Sequence, residues 1–502
     1  MKLKELLLDE ENIIIIGDIN TEVFGISYDS RKICKGDIFF ALPGNRTDGK
    51  KYINEAITKG ASVIITNSKC STNITTVQVI VDNILCFMSI ICSKFYNYPD
   101  RELYLIGVTG TNGKTTITYM IESIFTYLNI KCGVIGTINY RYKNKVITAI
   151  NTTPQSADIF KIMREMLDNG VRCLVMEVSS LALSLRRVYM MNFDVAVFTN
   201  LTQDHLDFHK NMNNYFEAKF MLFQELNMKV KKNKKYAIIN ADDNYGKKFL
   251  GITLDADIKF YSILLADSSI TDLKVKNVKV TCKGNTFDVI FNNEKAKIKM
   301  QHIGMHNVYN ALAALEVAIY SGISFRQAVK GLNGAMQVPG RLERINIKNL
   351  NFEVIIDYAH TADALKNVLQ ALQEIKSKRI ITVFGCGGER DKTKRPIMGK
   401  ISVEMSYFVF ITSDNPRSED PYDIISDIES GISESCRKNY RIIINREIAI
   451  KEAIMMADKN DVVLIAGKGH ETYQIIKNVK YHFNDIEIAK KYANLKNKSL
   501  LS

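Results

Sequence analysis

Residues 103–116 read LYLIGVTGTNGKTT, and the rest of the chain is organised around them. An apolar run stops at a glycine-rich turn, the turn closes in Gly113-Lys114-Thr115-Thr116, and a helix-compatible segment, ITYMIESIFTYL, follows. Strand, glycine loop and helix in that order make a phosphate cradle. Backbone N–H groups and the helix N-terminus face an anion, Lys114 adds a point charge, and the Thr115 hydroxyl suits Mg²⁺. Strict P-loop spacing puts a glycine where Val108 stands, so this is a variant form with Gly110 inside the loop.

A chain of 502 residues exceeds a single core and predicts about three domains. An apolar content of 46% fits a globular protein, and no long uninterrupted apolar span predicts a membrane crossing. The N-terminal MKLKELLLDEENIIIIGD mixes acids into its apolar run, unlike a secretory signal. Nine cysteines lack CxxC spacing and read as reduced thiols in a cytoplasm. The net charge of +13 is open to nucleic acid or to a substrate rich in phosphates and carboxylates. The densest basic run, Lys229–Lys235, has no interleaved aromatics, which favours a small anionic substrate over nucleic acid.

The reading predicts an α/β protein of three units. The first, to about residue 100, is a small α/β domain with a strand at Asp37–Leu42, a helix near Tyr52–Lys59 and a strand at Ser62–Thr66. The second, 101–337, carries strands at Cys132–Gly136, Arg172–Val178 and Asp194–Phe198 with helices between them, as in a mostly parallel sheet. Polar clusters follow these strands: Glu177-Val178-Ser179-Ser180, then Thr199 through His209. Glu177 at a strand end beside a phosphate loop suits a Mg²⁺ site. Lys219 lies among apolar neighbours on a helix, where a lysine ordinarily snorkels to solvent. Residues 252–300 read as an antiparallel insert, and His306–Ser321 as an apolar helix.

The third unit, 338–502, reads as a second doubly wound sheet. Its predicted strands at Glu353–Ile356, Arg379–Phe384, Tyr407–Thr412 and Asp461–Ala466 end in DYAHT, GCGGERD, SDNPR and GKGHE. Any one of these reads as a turn. Four at consecutive strand ends read as a substrate site.

GTNGKTT, NTT, MEVSS, FTNLTQDHLDFH, EAKFMLF, INADD, VPGRLER, DYAHT, FGCGGERD, SDNPRSEDP and AGKGHETYQ occur in the order of the Mur ligases, and the chain resembles that family over nearly its whole length. The resemblance implies an N-terminal UDP-sugar-binding domain (1–100), a central ATPase domain (101–337) and a C-terminal Rossmann-like domain that binds the amino acid (338–502). It implies a monomeric ATP-dependent ligase of cell-wall precursor synthesis. ATP activates the D-glutamate carboxylate of UDP-MurNAc-L-Ala-D-Glu as an acyl phosphate, and the amine of a diamino acid displaces phosphate. By the same resemblance, Gly110, Thr111, Asn112, Gly113, Lys114, Thr115 and Thr116 hold ATP, with Asn307, Arg341 and Asp357 closing over it. Thr115 and Glu177 serve one Mg²⁺; His205 and Lys219, the latter carbamylated by CO₂, serve a second. Tyr28, Ser30, Asn45, Arg46 and Thr47 match UDP-sugar positions, and Asn151, Thr152, Thr153, Ser179 and Arg187 match positions around the muramoyl dipeptide. Arg390, Asp414, Asn415, Arg417, Gly467 and Glu471 match a meso-diaminopimelate pocket, because a guanidinium pairs with the second carboxylate that lysine lacks.

Three positions depart from the family's pattern: Leu181 where EVSSH has histidine, Leu185 where some members have glutamine, and Ala362 where DYAHTPDAL has proline. Two other readings remain: the same ligase using L-lysine or another diamino acid, and a non-catalytic nucleotide- and UDP-sugar-binding paralogue, which Leu181 motivates. Folylpolyglutamate synthase shares the fold, but the N-terminal DSR…GDIFFAL unit and DNPR argue against it.

Overall fold

A computed structural model describes residues 1–44, 47–70, 76–227, 234–265, 269–375 and 379–501. The chain packs as two units, Met1–Tyr261 with Glu316–Gly322, and Ser262–Leu315 with Ile323–Ser502.

The first unit holds two sheets. A five-stranded sheet runs in the order Ile13–Ile16, Val77–Val81, Val63–Thr66, Asp37–Phe40, Gly25–Ser27. Only its first pair is antiparallel. An eight-stranded sheet runs Asp257–Tyr261, Tyr236–Asn240, Val195–Phe198, Tyr104–Thr109, Cys173–Glu177, Cys132–Ile135, Asn139–Tyr142, Lys145–Thr148. Its first six strands are parallel, and a hairpin closes the far edge. The apolar run 103–109 is the centre of this sheet. A strand covered on both faces loses the polar alternation of a half-exposed one, and Leu105 through Thr109 are all buried. The helix Lys114–Tyr127 returns over the sheet on Ile117, Met120, Ile121 and Ile124, all fully buried at the 3–4 spacing of one helical face. Each such side chain contributes about 1.5–3 kcal/mol on burial, an upper bound set by the extended-chain reference.

The chain order reverses at Tyr104–Thr109, whose neighbours are Cys173–Glu177 on one side and Val195–Phe198 on the other. At such a switch point the loops after adjacent strands diverge and leave a crevice at the carboxyl ends. The phosphate loop, Glu177 and Thr199-Asn200 therefore meet there.

The second unit has a three-stranded antiparallel sheet, Leu273–Thr281, Gly284–Phe291 and Glu294–Met300. A six-stranded sheet follows in the order Glu343–Arg344, Glu353–Asp357, Val462–Ala466, Ile380–Phe384, Phe408–Ile411, Tyr440–Ile442, parallel after the first pair. DYAHT, GKGHE, GCGGERD and SDNPR follow four adjacent parallel strands, so one edge of the sheet carries all four.

The antiparallel reading of 252–300 is corrected in part. Asp257–Tyr261 joins the eight-stranded sheet as a parallel edge strand, and only Leu273–Met300 is the antiparallel element. Residues Asn45 and Arg46, and most of the Lys229–Lys235 run, lie outside the described residues. Among the described residues no helix is long and apolar enough to cross a membrane.

Candidate active site

The phosphate loop is shaped by two glycines in backbone conformations that L side chains rarely adopt, Gly110 at φ +145° and Gly113 at φ +89°. A Cβ on Gly110 would lie 1.8 Å from the Thr199 hydroxyl. That closeness lets the 199–202 segment hold the loop from outside. Thr111 N donates to Asn200 O (2.9 Å) and Asn112 N to Asn200 Oδ1 (3.0 Å). The Thr199 hydroxyl donates to Asn112 O at 2.6 Å, and Thr202 N donates to the Thr111 hydroxyl at 3.1 Å. These bonds fix the loop's conformation from outside.

Two lysine amines converge on one carbonyl of this loop. Lys114, the first helical residue, donates to Gly110 O and Thr111 O, both at 2.8 Å. Lys219, from the helix Met212–Gln224, donates to the same Gly110 O at 2.8 Å. Its snorkelling expectation is overturned: Lys219 is 1% exposed, with its amine 4.4 Å from the Tyr215 ring centroid. Burial, and then the Lys114 charge, push that amine well below the ordinary lysine range, against a smaller opposing pull from Asp204. The Tyr215 ring stacks on His209, whose Nε2 lies 2.9 Å from the Ser180 hydroxyl.

Glu177 ends its strand on the other side of the loop, 1% exposed. Its carboxylate accepts from the Thr115 hydroxyl at 2.9 Å, the Thr137 hydroxyl at 2.9 Å and Thr137 N at 2.8 Å. His205, at φ +53°, sits beside Asp204 with Nε2 3.5 Å from the carboxylate, its side chain largely exposed. Desolvation, with Lys114 and Lys219 nearby, lowers its pKa against the opposing pull of Asp204.

The predicted dipeptide residues extend the same crevice. The Thr153 hydroxyl donates to Glu177 O at 2.8 Å, Ser179 N donates back to it at 3.1 Å, and the Thr152 hydroxyl meets that of Thr137 at 3.1 Å. Arg187, 9% exposed, donates to Thr153 O at 2.8 Å, while Asn151 is exposed. In the five-stranded domain, Tyr28 donates to Asp158 at 2.5 Å, the Ser30 hydroxyl to Glu55 at 2.8 Å, and the Thr47 hydroxyl lies 3.2 Å from that of Tyr52. Burial, then the Asp158 bond, raise the Tyr28 phenol well above its ordinary value. Leu181 is 39% exposed on the short helix Ser180–Ser184, next to Ser180.

In the second unit, Asn307 donates to Ile303 O (2.7 Å) at the start of the helix Met305–Tyr320. Asp357 accepts Leu342 N and Ala359 N, each at 2.7 Å. Burial raises its carboxyl, and Arg341 opposes that rise. The Arg341 guanidinium lies 4.8 Å from the Tyr358 ring centroid. At the sheet edge, Asp414, Asn415 and Glu471 are knit together around Lys468 and Gln474. Asn415 Nδ2 donates to Glu471 at 2.9 Å, and Gln474 donates to Asp414 O at 2.6 Å. Gly467 adopts φ +114°, and a Cβ there would lie 2.6 Å from the Asp414 carboxylate. Arg417, also in the left-handed region, pairs its backbone with Ile475 and Lys477 and sends its guanidinium to Gly388 O. Arg390 is exposed on the Gly385–Asp391 loop. Thr137, Asn200, Tyr215 and Lys468 were not singled out from the sequence as site residues; Asn200 and Lys468 lie inside motifs that were.

Residues 22–96 match the Mur ligase family catalytic domain, 108–318 the Mur ligase middle domain and 340–469 the Mur ligase glutamate ligase domain. The chain belongs to the Mur ligase family. It is similar to UDP-N-acetylmuramoyl-L-alanyl-D-glutamate--2,6-diaminopimelate ligases, being 44% identical to that of Clostridium tetani over 98% of this chain and 99% of the relative. It is 42% identical to that of Fusobacterium nucleatum over 95% and 96%. A solved structure of a ligase of the same name superposes with a TM-score of 0.69 at 29% identity, covering 99% of each chain. The Thermotoga maritima MurF ligase complex with ADP, 18% identical with a TM-score of 0.64, shares the fold.

Proposed function

We propose that this chain is the ligase that adds meso-2,6-diaminopimelate to UDP-MurNAc-L-alanyl-D-glutamate at the expense of ATP, in peptidoglycan precursor synthesis. The observation that carries the ATP-dependent step is the convergence of the Lys114 and Lys219 amines on Gly110 O, opposite the Thr115–Glu177 pair. The names of relatives 42–44% identical along the chain support the substrate. The domain roles follow: 1–100 for the UDP-sugar, 101–337 for ATP and 338–502 for the amino acid.

The loop N–H groups and Lys114 hold the phosphates in line with the D-glutamate carboxylate. That carboxylate attacks the γ-phosphorus, giving an acyl phosphate and ADP. A free carboxylate is a poor electrophile, and phosphorylation supplies its leaving group. The diaminopimelate amine then attacks the acyl carbon, and the tetrahedral adduct collapses to amide and phosphate as the amine gives up its proton. Thr115 and Glu177 offer the hard oxygen donors that Mg²⁺ prefers, and the ion would neutralise phosphate charge. Among the described residues no three His, Cys, Asp or Glu side chains gather as a ready metal site. Lys219 fits carbamylation: a buried amine held below its ordinary pKa is nucleophilic towards CO₂, and the carbamate beside His205 would add an anionic oxygen ligand. Arg417 would take the second carboxylate of diaminopimelate and Glu471 the distal ammonium. The nine cysteines are all unpaired thiols, which suits a cytoplasmic enzyme.

The test is phosphate release with UDP-MurNAc-L-Ala-D-Glu, comparing meso-diaminopimelate with L-lysine. Turnover with diaminopimelate well above that with lysine is expected. Preference for lysine would overturn the amino-acid assignment, and ATP binding without turnover would favour the binding-only paralogue.

A further inference from the structure

Lys468 has no part in the chemistry above, yet it is completely buried beneath the amino-acid cluster. Its amine donates to Glu471 Oε2 at 3.0 Å and to Asn415 Oδ1 at 3.2 Å, and lies 3.8 Å from Asp414 Oδ1. The two hydrogen-bonded partners are each fixed a second time. Glu471 Oε2 also accepts from Asn415 Nδ2, and Asn415 Oδ1 also accepts from Ile475 N at 3.0 Å. Ile475 O in turn holds Arg417 N at 3.0 Å. One ammonium thus connects the GKGHE turn, the DNPR turn and the Tyr473–Ile476 strand that seats Arg417.

A fully buried ammonium is costly unless it is paired, so its presence needs a reason beyond packing. Charge supplies one. In formal charge Asp414 and Glu471 bring two negatives within reach of the single positive of Lys468; burial raises the Asp414 carboxyl, and Lys468 leads the charges that oppose that rise. Just behind them lies the ion pair of Arg446 with Asp485, both completely buried, at 2.9 and 2.7 Å. That pair cancels in formal charge, and Asp414, Glu471 and Lys468 together count to one net negative. A methionine at 468 would leave two.

We propose that Lys468 is a positioning and specificity residue: it holds Glu471 and Asn415 in place and sets the pocket to one negative charge, matched to a single ammonium while Arg417 takes a carboxylate. The pocket then fits a zwitterionic amino-acid terminus and disfavours a lone terminal ammonium. This rests on the amino-acid pocket assigned under the proposed function, and it adds a residue which that assignment does not use.

The experiment compares the wild-type enzyme with Lys468→Met and Lys468→Arg. In Lys468→Met the KM for diaminopimelate should rise tenfold or more with kcat and the KM for ATP within about twofold. The ratio of kcat/KM for L-lysine to that for diaminopimelate should rise as well. Lys468→Arg, which keeps the charge, should restore most of the diaminopimelate KM. In the double variant with Glu471→Gln the losses should be less than multiplicative, because Lys468 acts through Glu471. An unmoved KM for diaminopimelate, parallel loss of every kinetic parameter, or fully multiplicative losses would overturn the role. If Lys468→Met does not fold, Lys468→Gln gives the same reading; failure of both to fold would make Lys468 a folding residue and overturn the proposal. Ligation of diaminopimelate by the wild-type enzyme is the control. Its absence refutes the substrate assignment, whereas its presence with an unmoved KM in Lys468→Met refutes only the role of Lys468.

Discussion

Replacing Glu177 by glutamine separates the structural from the catalytic share of one buried carboxylate. Three hydrogen bonds end on it, from the Thr115 hydroxyl, the Thr137 hydroxyl and Thr137 N. Glutamine has the same shape. Its oxygen still accepts Thr137 N, and its amide can donate to the two hydroxyls, which turn to accept. Three neutral bonds replace three charge-assisted ones, and the cost of burying a carboxylate is relieved at the same time, so stability should fall by about 1 kcal/mol or less. In a chain this long that moves the melting temperature by about 2–4 °C at most. The charge is not replaced. Loss of one preorganised group stabilising developing charge typically costs about 2.7–4 kcal/mol, or 10²–10³ in rate. Phosphate release at saturating peptide and amino acid should therefore fall by about 10²–10³, and the Mg²⁺ concentration for half-maximal rate should rise. A rate within tenfold of wild type with unchanged Mg²⁺ dependence would refute the assignment of Glu177 to the metal.

Other perturbations read other parts of the structure. Gly110→Ala forces a Cβ against the Thr199 hydroxyl and strains a positive φ, so ATP affinity measured by calorimetry should fall tenfold or more, about 1.4 kcal/mol; an unchanged Kd would refute the close approach. Arg417→Ala removes a charge-assisted bond of about 1.5–3 kcal/mol, raising the KM for diaminopimelate by about 10–150-fold while the KM for ATP stays within about twofold; equal losses in both would sink the assignment. Glu225 sits away from the site, and burial raises its carboxyl to about 7. The unfolded chain releases this proton first, so stability falls as pH climbs from about 4.5 to about 7 and is level above that. Glu225→Gln should melt near wild type at about pH 4.5 and be more stable at about pH 8, on the order of 1–3 kcal/mol; a difference equal at both pH values would contradict the buried carboxyl.

The central strands of the eight- and six-stranded sheets were legible because strands covered on both faces are written as apolar runs closed by a polar turn, whereas Tyr236–Asn240 and Tyr440–Ile442 were not read as strands. The predicted Arg172–Val178 and the observed Cys173–Glu177 differ by one residue at each end. The four C-terminal clusters were legible as a set because each ends such a run, and the sheet order then places those strands side by side. Asp257–Tyr261 was misread for the opposite reason. An edge strand is half exposed, its residues look like those of the following hairpins, and nothing local says which sheet it joins. Thr137 escaped notice because its two bonds to Glu177 cross 40 residues of chain.

Lys219 shows what sequence pattern cannot carry. In YFEAKFMLF, helical spacing puts it among apolar residues, and the cheapest outcome for a lone lysine there is to send its amine to water. What prevents this is a carbonyl 109 residues away, turned towards the helix because Gly110 takes a conformation closed to other residues. The same carbonyl accepts Lys114, so the loop proposed to bind phosphate is also the group that keeps Lys219 inside. Two amines on one acceptor are mutually repulsive while both are charged, and burial falls on Lys219, which yields. The lowered pKa of this amine is therefore tied to the loop's shape, which keeps it buried. Any change that loosens the loop, Gly110→Ala included, should raise the Lys219 pKa as well as weaken ATP. A ¹³C carbamate signal from labelled bicarbonate should then be present in the wild-type enzyme and absent in Gly110→Ala. A signal of equal strength in both would show that the loop does not govern Lys219.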